Sequence, residues 1–314
     1  MGLTVGVDVG GTKIAAGVVD DAGEILVEET EPTPATDPAA IATAIADVVG
    51  RLRQSHEIEA VGIGAAGFVD AKRSTILFAP NISWTAEPLA GQVGARIGLP
   101  VVVENDANAA AWGEFQFGAG KDVDDLLMIA VGTGIGGGYV TEDRLYRGAF
   151  GTAGEVGHLR VVPGGIRCGC GSYGCWEQYA SGRALVREAR DRVASGLAEA
   201  AALSTAADGD AERLTGPMVT KLAQAGDPLA RELLAEVGRW LGEGIASLVA
   251  VLDPAVVVLG GGVAEAGDPV VAPARTAFAR TLPAAAHRPA PDIRPTTLGN
   301  RAGMIGAADL ARTP

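Results

Sequence analysis

The chain has 314 residues, is 48% hydrophobic and 20% charged, and carries a formal net charge of −13, which suffices for two domains with a shared core. No apolar run reaches the roughly 18 residues of a membrane helix. An acidic surface repels nucleic acid and anionic membranes, so neither is expected as a partner, and it argues mildly against polyphosphate as a substrate. Many soluble proteins are acidic without any such meaning.

From Met1-Gly-Leu-Thr4 the chain leads directly into a strand pattern, with nothing resembling a signal peptide, so a cytoplasmic location is expected. Three segments share one design, a β-rich apolar run ending in clustered glycines. They are residues 3–13 with a second apolar run to Val19, residues 126–140, and residues 255–263. The first two read as β-hairpins, and their likeness suggests a duplicated strand–turn–strand unit.

The first of these contains Asp8-Val-Gly-Gly-Thr-Lys13. Backbone N–H groups in such a turn can converge on a phosphate, and glycine permits both positive φ and close approach. Asp8, at the strand end, could hold Mg2+ directly or through water. The spacing is neither a Walker A loop nor a Rossmann fingerprint, since no Gly-x4-Gly-Lys-Ser/Thr is present and no helix follows. One glycine turn is equally a plain hairpin; two, with Gly260-Gly-Gly262, favour a nucleotide.

Asp37-Pro38 reads as an N-cap and first helical residue for a helix bearing Ile41, Ile45, Val48 and Leu52. Next, residues 62–70 form a strand running into a small-residue loop that contains Gly67. Asn81, after Pro80, could bond sugar hydroxyls with donor and acceptor or serve as a turn residue. Thr85 is placed to cap a helix with Leu89, Val93 and Ile97 inward. Residues 101–106 read as a buried strand ending in Asn105-Asp106, with a helix starting in the alanine-rich run from Ala107. An aspartate there could face the ligand crevice of an open α/β sheet and accept a hydroxyl proton; it could equally be an N-cap. Strand, helix and strand with glycine-rich ends indicate an α/β fold.

All three cysteines and one of the three histidines lie within eighteen residues, as His158, Cys168, Cys170 and Cys175. One nitrogen and three sulfurs match a structural Cys3His zinc site, and an odd cysteine number suits a metal better than a disulfide framework. Buried thiols, or one disulfide and a leftover, is the alternative. Glu155 and Glu177 flank the cluster, so a metal here would also fix two carboxylates, natural acceptors for sugar hydroxyls. Residues 195–228 are the least patterned stretch and carry no assigned function. Asp227-Pro228 opens the longest helix, with Leu229, Leu233, Val237, Leu241, Ile245, Leu248 and Leu252 in step. These stripes are core, and His56 and His287 read as surface residues.

Two stretches then resemble one family. Ile129-Ala-Val-Gly-Thr-Gly-Ile-Gly-Gly-Gly138, with Gly148, Gly151, Gly154 and Gly157-His158, is similar to the signature of the ROK family of repressors, sugar kinases and uncharacterised reading frames. Cys168-Gly-Cys-Gly-Ser-Tyr-Gly-Cys-Trp-Glu177 is similar to its zinc motif. The likeness covers essentially the whole chain and is strongest to ATP-dependent glucose-phosphorylating members.

The resemblance implies an actin-like ATPase (ribonuclease H-like) α/β fold, with two lobes and ATP and sugar in the intervening cleft. The small lobe would be residues 1–109, with a C-terminal helix 301–314 returning to it; residues 110–300 would form the large lobe with the zinc loop. Asp106 would be the catalytic base for transfer from ATP to the glucose 6-hydroxyl. Gly67, Asn81, Asn105, Asp106, Glu155, His158 and Glu177 would bind the sugar. Asp8, Gly10, Gly11, Thr12, Lys13, Thr133 and Gly134 would handle phosphates and Mg2+, and Gly261 and Gly262 the adenosine. His158, Cys168, Cys170 and Cys175 would hold a structural zinc, and a homodimer or homotetramer is implied.

Three rivals are weighed against this reading. A sugar-sensing repressor of the family would carry a helix-turn-helix domain ahead of the first glycine turn, where only seven residues precede Asp8; acidity also opposes DNA binding. A non-catalytic sugar-binding protein is the second. The third is a kinase for N-acetylglucosamine, N-acetylmannosamine, mannose or fructose, against which Asn81-Ile-Ser-Trp84 looks more like the glucose-phosphorylating members.

Overall fold

The computed structural model describes residues 2–35, 37–79 and 84–312. In chain order the elements begin with β1 (Leu3–Val9), β2 (Lys13–Val19), β3 (Ile25–Pro32), α1 (Pro38–Leu52), β4 (Ile58–Ala65), β5 (Phe68–Val69), β6 (Ile76–Ala79) and β7 (Trp84–Glu87). Then come α2 (Leu89–Ile97), β8 (Val101–Asn105), α3 (Asp106–Phe117), β9 (Leu126–Val131), β10 (Ile135–Thr141) and β11 (Arg144–Leu145). The rest comprises α4 (Glu177–Ala180), α5 (Gly182–Ala194), α6 (Ala201–Ala206), α7 (Gly216–Gln224), α8 (Pro228–Leu252), β12 (Val256–Gly260), α9 (Asp268–Thr281), β13 (Asp292–Pro295) and α10 (Ala302–Leu310).

Contacts divide the chain into two units. Unit 1 holds residues 1–128, 137–154 and 296–314; unit 2 holds residues 129–136 and 155–295. The contact boundary differs from residue 109 because α3 runs across that point and packs on α10 within unit 1.

In unit 1 the sheet order is β3-β2-β1-β4-β8, with β1–β2–β3 antiparallel and β1, β4 and β8 parallel. Side chains alternate across a strand, and this sheet uses that alternation to build two different faces. Val5, Val7 and Val9, with Val61 and Ile63, join Ile41, Ile45 and Val48 of α1 and Leu89 and Val93 of α2 in one buried cluster. The opposite face is glycine where helices press closest. A Cβ at Gly6 would lie 1.9 Å from the Met304 carbonyl oxygen, and one at Gly62 would lie 1.8 Å from that of Ala307. So α10 sits directly on β1 and β4, its far side against α3.

The Asp37 N-cap is as expected, its carboxylate accepting from the Ala39 and Ala40 N–H groups. Thr85 is not a cap. It lies in β7, paired with Phe78 of β6, and α2 begins after Pro88 with no side-chain cap bond. Strand pairing claimed the hydroxyl residue that local sequence offered to the helix.

Unit 2 is built around α8. Gly238 and Gly242 let α9 approach, since a Cβ at either would come within 2.3 Å of the carbonyl oxygens of Val270 or Ala274. Trp176 packs on Gly244 and donates its Nε1–H to the Trp240 carbonyl at 2.8 Å. The strands β12 and β13 pair in parallel. Among the described residues, no helix is long and apolar enough to cross a membrane.

Candidate active site

In unit 1, Asp8 lies near the end of β1, flanked by Ala15 of β2 and Gly64 of β4. The turn beyond it is closed by the Gly10 N–H donating to the Lys13 carbonyl at 3.0 Å, and Thr33 anchors it by donating Oγ1–H to the Gly10 carbonyl at 2.8 Å. Gly11, Thr12 and Lys13 are exposed on this turn, and a Cβ at Gly11 would meet nothing within 4 Å. The turn therefore leaves open space over its backbone.

The parallel strand β8 delivers Asn105 and Asp106 to the same region. Asn105, not Asp106, is the N-cap of α3: its Oδ1 accepts from the N–H groups of Ala107 and Asn108 at 2.9 and 3.0 Å. Its Nδ2 donates to the Gly67 carbonyl at 3.1 Å, which leaves one donor of the amide for another partner. Gly67, at φ +133, could not be another residue without strain, because a Cβ would lie 2.7 Å from the Phe78 carbonyl oxygen. Asn81 lies outside the described residues.

The cap thus leaves the Asp106 carboxylate bonded, among the described residues, to the Ala107 N–H at 2.9 Å and to its own backbone N–H. Burial holds this carboxyl above its ordinary range, against those hydrogen bonds. Burial also pushes the Asp8 carboxyl up to about 6; the nearby Asp106 adds to the rise and Lys13 opposes it. Two desolvated carboxylates near enough to repel each other favour a bound cation, and a divalent ion fits that donor set.

In unit 2, Thr133 and Gly134 form the turn after β9. The turn is gripped by the start of α5, whose Gly182 and Arg183 N–H groups donate to the Gly132 and Thr133 carbonyls at 2.8 and 3.3 Å. Gly261, at φ +86, packs directly on Val131, and a Cβ at Gly262 would meet nothing within 4 Å. Gly262, with Gly132 and Thr133, opens on a cavity of ≈ 1090 Å³ whose lining also includes Arg183, Arg190, Leu214 and Lys221. Sequence reasoning missed its outer wall, which residues 212–224 supply. Arg190 is fixed there by Glu212, at 2.6 Å.

The four residues expected to bind zinc do converge. One ligand atom from each of His158, Cys168, Cys170 and Cys175 lies within 4.8 Å of the others. Glycines shape the loop: Gly174, at φ +75, passes so close to Val162 that a Cβ would sit 1.7 Å from its carbonyl oxygen. Burial pushes the Cys168 thiol up to about 12, and Glu177 adds to the rise. A soft divalent cation would reverse that by taking the thiolates as ligands, so the donor set is compatible with zinc. Glu177 links the cluster to the glycine turn: its Oε1 accepts from Cys168 Sγ at 3.1 Å, and its Oε2 lies 2.5 Å from where a Gly134 Cβ would stand. Glu155 leads into the short turn Val156–His158.

A glucokinase of Streptomyces coelicolor is 53% identical over all of this chain and 99% of its own length. The crystal structure of a ROK family glucokinase from Streptomyces griseus, in complex with glucose and AMPPNP, is 52% identical and superimposes with a TM-score of 0.91 over 100% of both chains. A ROK hexokinase from Thermus thermophilus is 39% identical, with a TM-score of 0.82 over 99% of this chain and 98% of its own. The α/β actin-like ATPase fold is the one these neighbours share. The ROK family profile matches residues 4–314, and the chain belongs to that family.

Proposed function

We propose that this chain is an ATP-dependent glucokinase, which transfers the γ-phosphoryl group of ATP to the 6-hydroxyl of glucose. The observation that carries the reading is 53% identity, end to end, with a glucokinase. In the reaction Asp106 accepts the hydroxyl proton as the sugar oxygen bonds to the γ-phosphorus and the bond to ADP breaks. Its suitability rests on Asn105 having taken over the helix cap. Gly67, Asn81, Asn105, Glu155, His158 and Glu177 contact the sugar in this reading. The turns of Gly10, Gly11, Thr12 and Lys13 and of Thr133 and Gly134 receive phosphates, with Asp8 as the carboxylate toward Mg2+, which would neutralise charge on the phosphates. The adenosine lies against Gly261 and Gly262, in the cavity walled by residues 212–224.

His158, Cys168, Cys170 and Cys175 would hold a structural zinc with no open position. In this reading the loop it closes orients Glu155, His158 and Glu177. The lobe division at residue 109, a cytoplasmic location and a homo-oligomeric state belong to the same reading. The test is a coupled assay with Mg-ATP against glucose, mannose, fructose, N-acetylglucosamine and N-acetylmannosamine. Strong preference for glucose is expected. Preference for another sugar would overturn the substrate assignment, and activity with none would overturn the kinase.

A further inference from the structure

Directly before the Asn105-Asp106 pair stands Glu104, whose side chain is 1% exposed. A buried carboxylate is costly unless it is paired and hydrogen-bonded, and this one is both. Its Oε1 accepts from the Asn105 N–H at 2.9 Å and from Asn108 Nδ2 at 3.2 Å. Its Oε2 faces two arginines, Arg147 Nε at 2.7 Å and Arg73 Nε at 3.2 Å.

Both arginines reach onward to the same segment. Arg147 donates Nη2–H to the Asp70 carbonyl at 2.9 Å and Nη1–H to the Ala71 carbonyl at 3.1 Å. Arg73 ends the turn that starts at Asp70, and its own carbonyl accepts from the Val103 N–H at 2.8 Å. Arg73 also holds φ at +56, a left-handed conformation that costs a non-glycine residue about 1 kcal/mol or more. Such strain persists where surrounding contacts over-determine it, and the pairing with Glu104 is such a contact.

The glycines after Arg147 fit the same pattern. Gly151, at φ +87, rests on the Asp70–Ala71 peptide, where a Cβ would lie 2.6 Å from the Ala71 nitrogen. Gly154, at φ +95, lies against Gly137 and Asn108. One carboxylate therefore ties together the end of β8, the 70–73 turn that follows Gly67, and the 147–154 segment.

We propose that Glu104 is a positioning residue for phosphoryl transfer: with Arg73 and Arg147 it sets the orientation of Asn105 and Asp106 relative to Gly67. The proposal rests on the reading of Asp106 as general base. A carboxylate base must meet its proton within hydrogen-bond reach, so a small tilt at the start of α3 acts on turnover.

The test compares Glu104→Gln, Arg147→Met, Arg147→Lys and Asp106→Asn in steady-state glucose phosphorylation, with circular dichroism on each variant. Glu104→Gln and Arg147→Met are expected to lower kcat about ten- to a hundredfold with the Michaelis constant for ATP unchanged. Arg147→Lys, which keeps the charge opposite Glu104, is expected to recover part of the kcat lost in Arg147→Met. If Glu104→Gln fails to fold, the Met-to-Lys comparison at position 147 decides. Folded variants with normal kcat and only a lower Tm would overturn the proposal. Should Asp106→Asn itself keep near-normal turnover, the reading of the base fails instead.

Discussion

Asn105 and Asp106 are adjacent and chemically alike, yet the backbone gives them opposite tasks. The asparagine spends its oxygen on two helix N–H groups, while the aspartate stays beside Asp8 with its charge weakly satisfied. Asp106→Asn is expected to leave glucose binding largely intact, by calorimetric titration, while lowering turnover by about 10² or more. The raised carboxyls also predict pH effects of opposite sign. In the proposed reading Asp8 must be ionised to face Mg2+, so kcat/KM for Mg-ATP should fall as pH drops through about 6, the value to which burial lifts its carboxyl; a profile flat down to pH 5 would disagree. For stability, the folded protein keeps the Asp8 proton up to about 6, whereas an ordinary carboxyl loses it near 3.8. Between those values the folded state binds more protons, so this group's contribution to stability declines as pH rises through the window. The position of Asp106 was legible in the sequence as the polar end of an apolar strand. Which of two neighbours capped the helix was not, because cap preference hardly separates Asn from Asp.

Among the elements, α10 shows how closely a helix can approach a sheet when the strands supply glycine. Gly62→Ala would drive a methyl group into the Ala307 carbonyl, at a cost of about 1–3 kcal/mol for overpacking. Thermal unfolding should show a Tm lower by several degrees; an unchanged Tm would mean that α10 can retreat freely. The loop from His158 to Cys175 is a second element, and its donor set was legible in the sequence, since three thiols and an imidazole at close spacing suit a metal; the four do converge. Cys170→Ser should abolish bound zinc, measured by elemental analysis, and raise the Michaelis constant for glucose. A zinc-free variant with an unchanged constant would separate the metal from the sugar site. The helices with sharp Asp-Pro starts were equally legible. The α2 start was not, because β7 ends just before it and the pairing of Thr85 with Phe78 comes from the adjacent strand β6, not from the helix that follows.

At the scale of the molecule, segments with strong periodicity or dense motifs were readable, and the cavity wall at residues 212–224 was not. That stretch consists of short turns and a nine-residue helix, α7, which leave no apolar stripe to count. Its place is set by neighbours distant in sequence, as in the bond from Arg190 to Glu212. The glycine runs were visible, but only the packing separates Gly261, pressed on Val131, from Gly262, where an added Cβ would meet nothing within 4 Å. The path of the chain has one more consequence, for synthesis. Unit 1 takes its first strands from the start of the chain and its covering helix from residues 296–314, and nearly all of unit 2 lies between. At roughly 5–20 residues per second, the sheet face that awaits α10 stays uncovered on the ribosome for on the order of ten seconds. Its glycines make that face narrow and poor in sticky side chains, so a surface built for close packing also suits a nascent chain that must wait for its last helix.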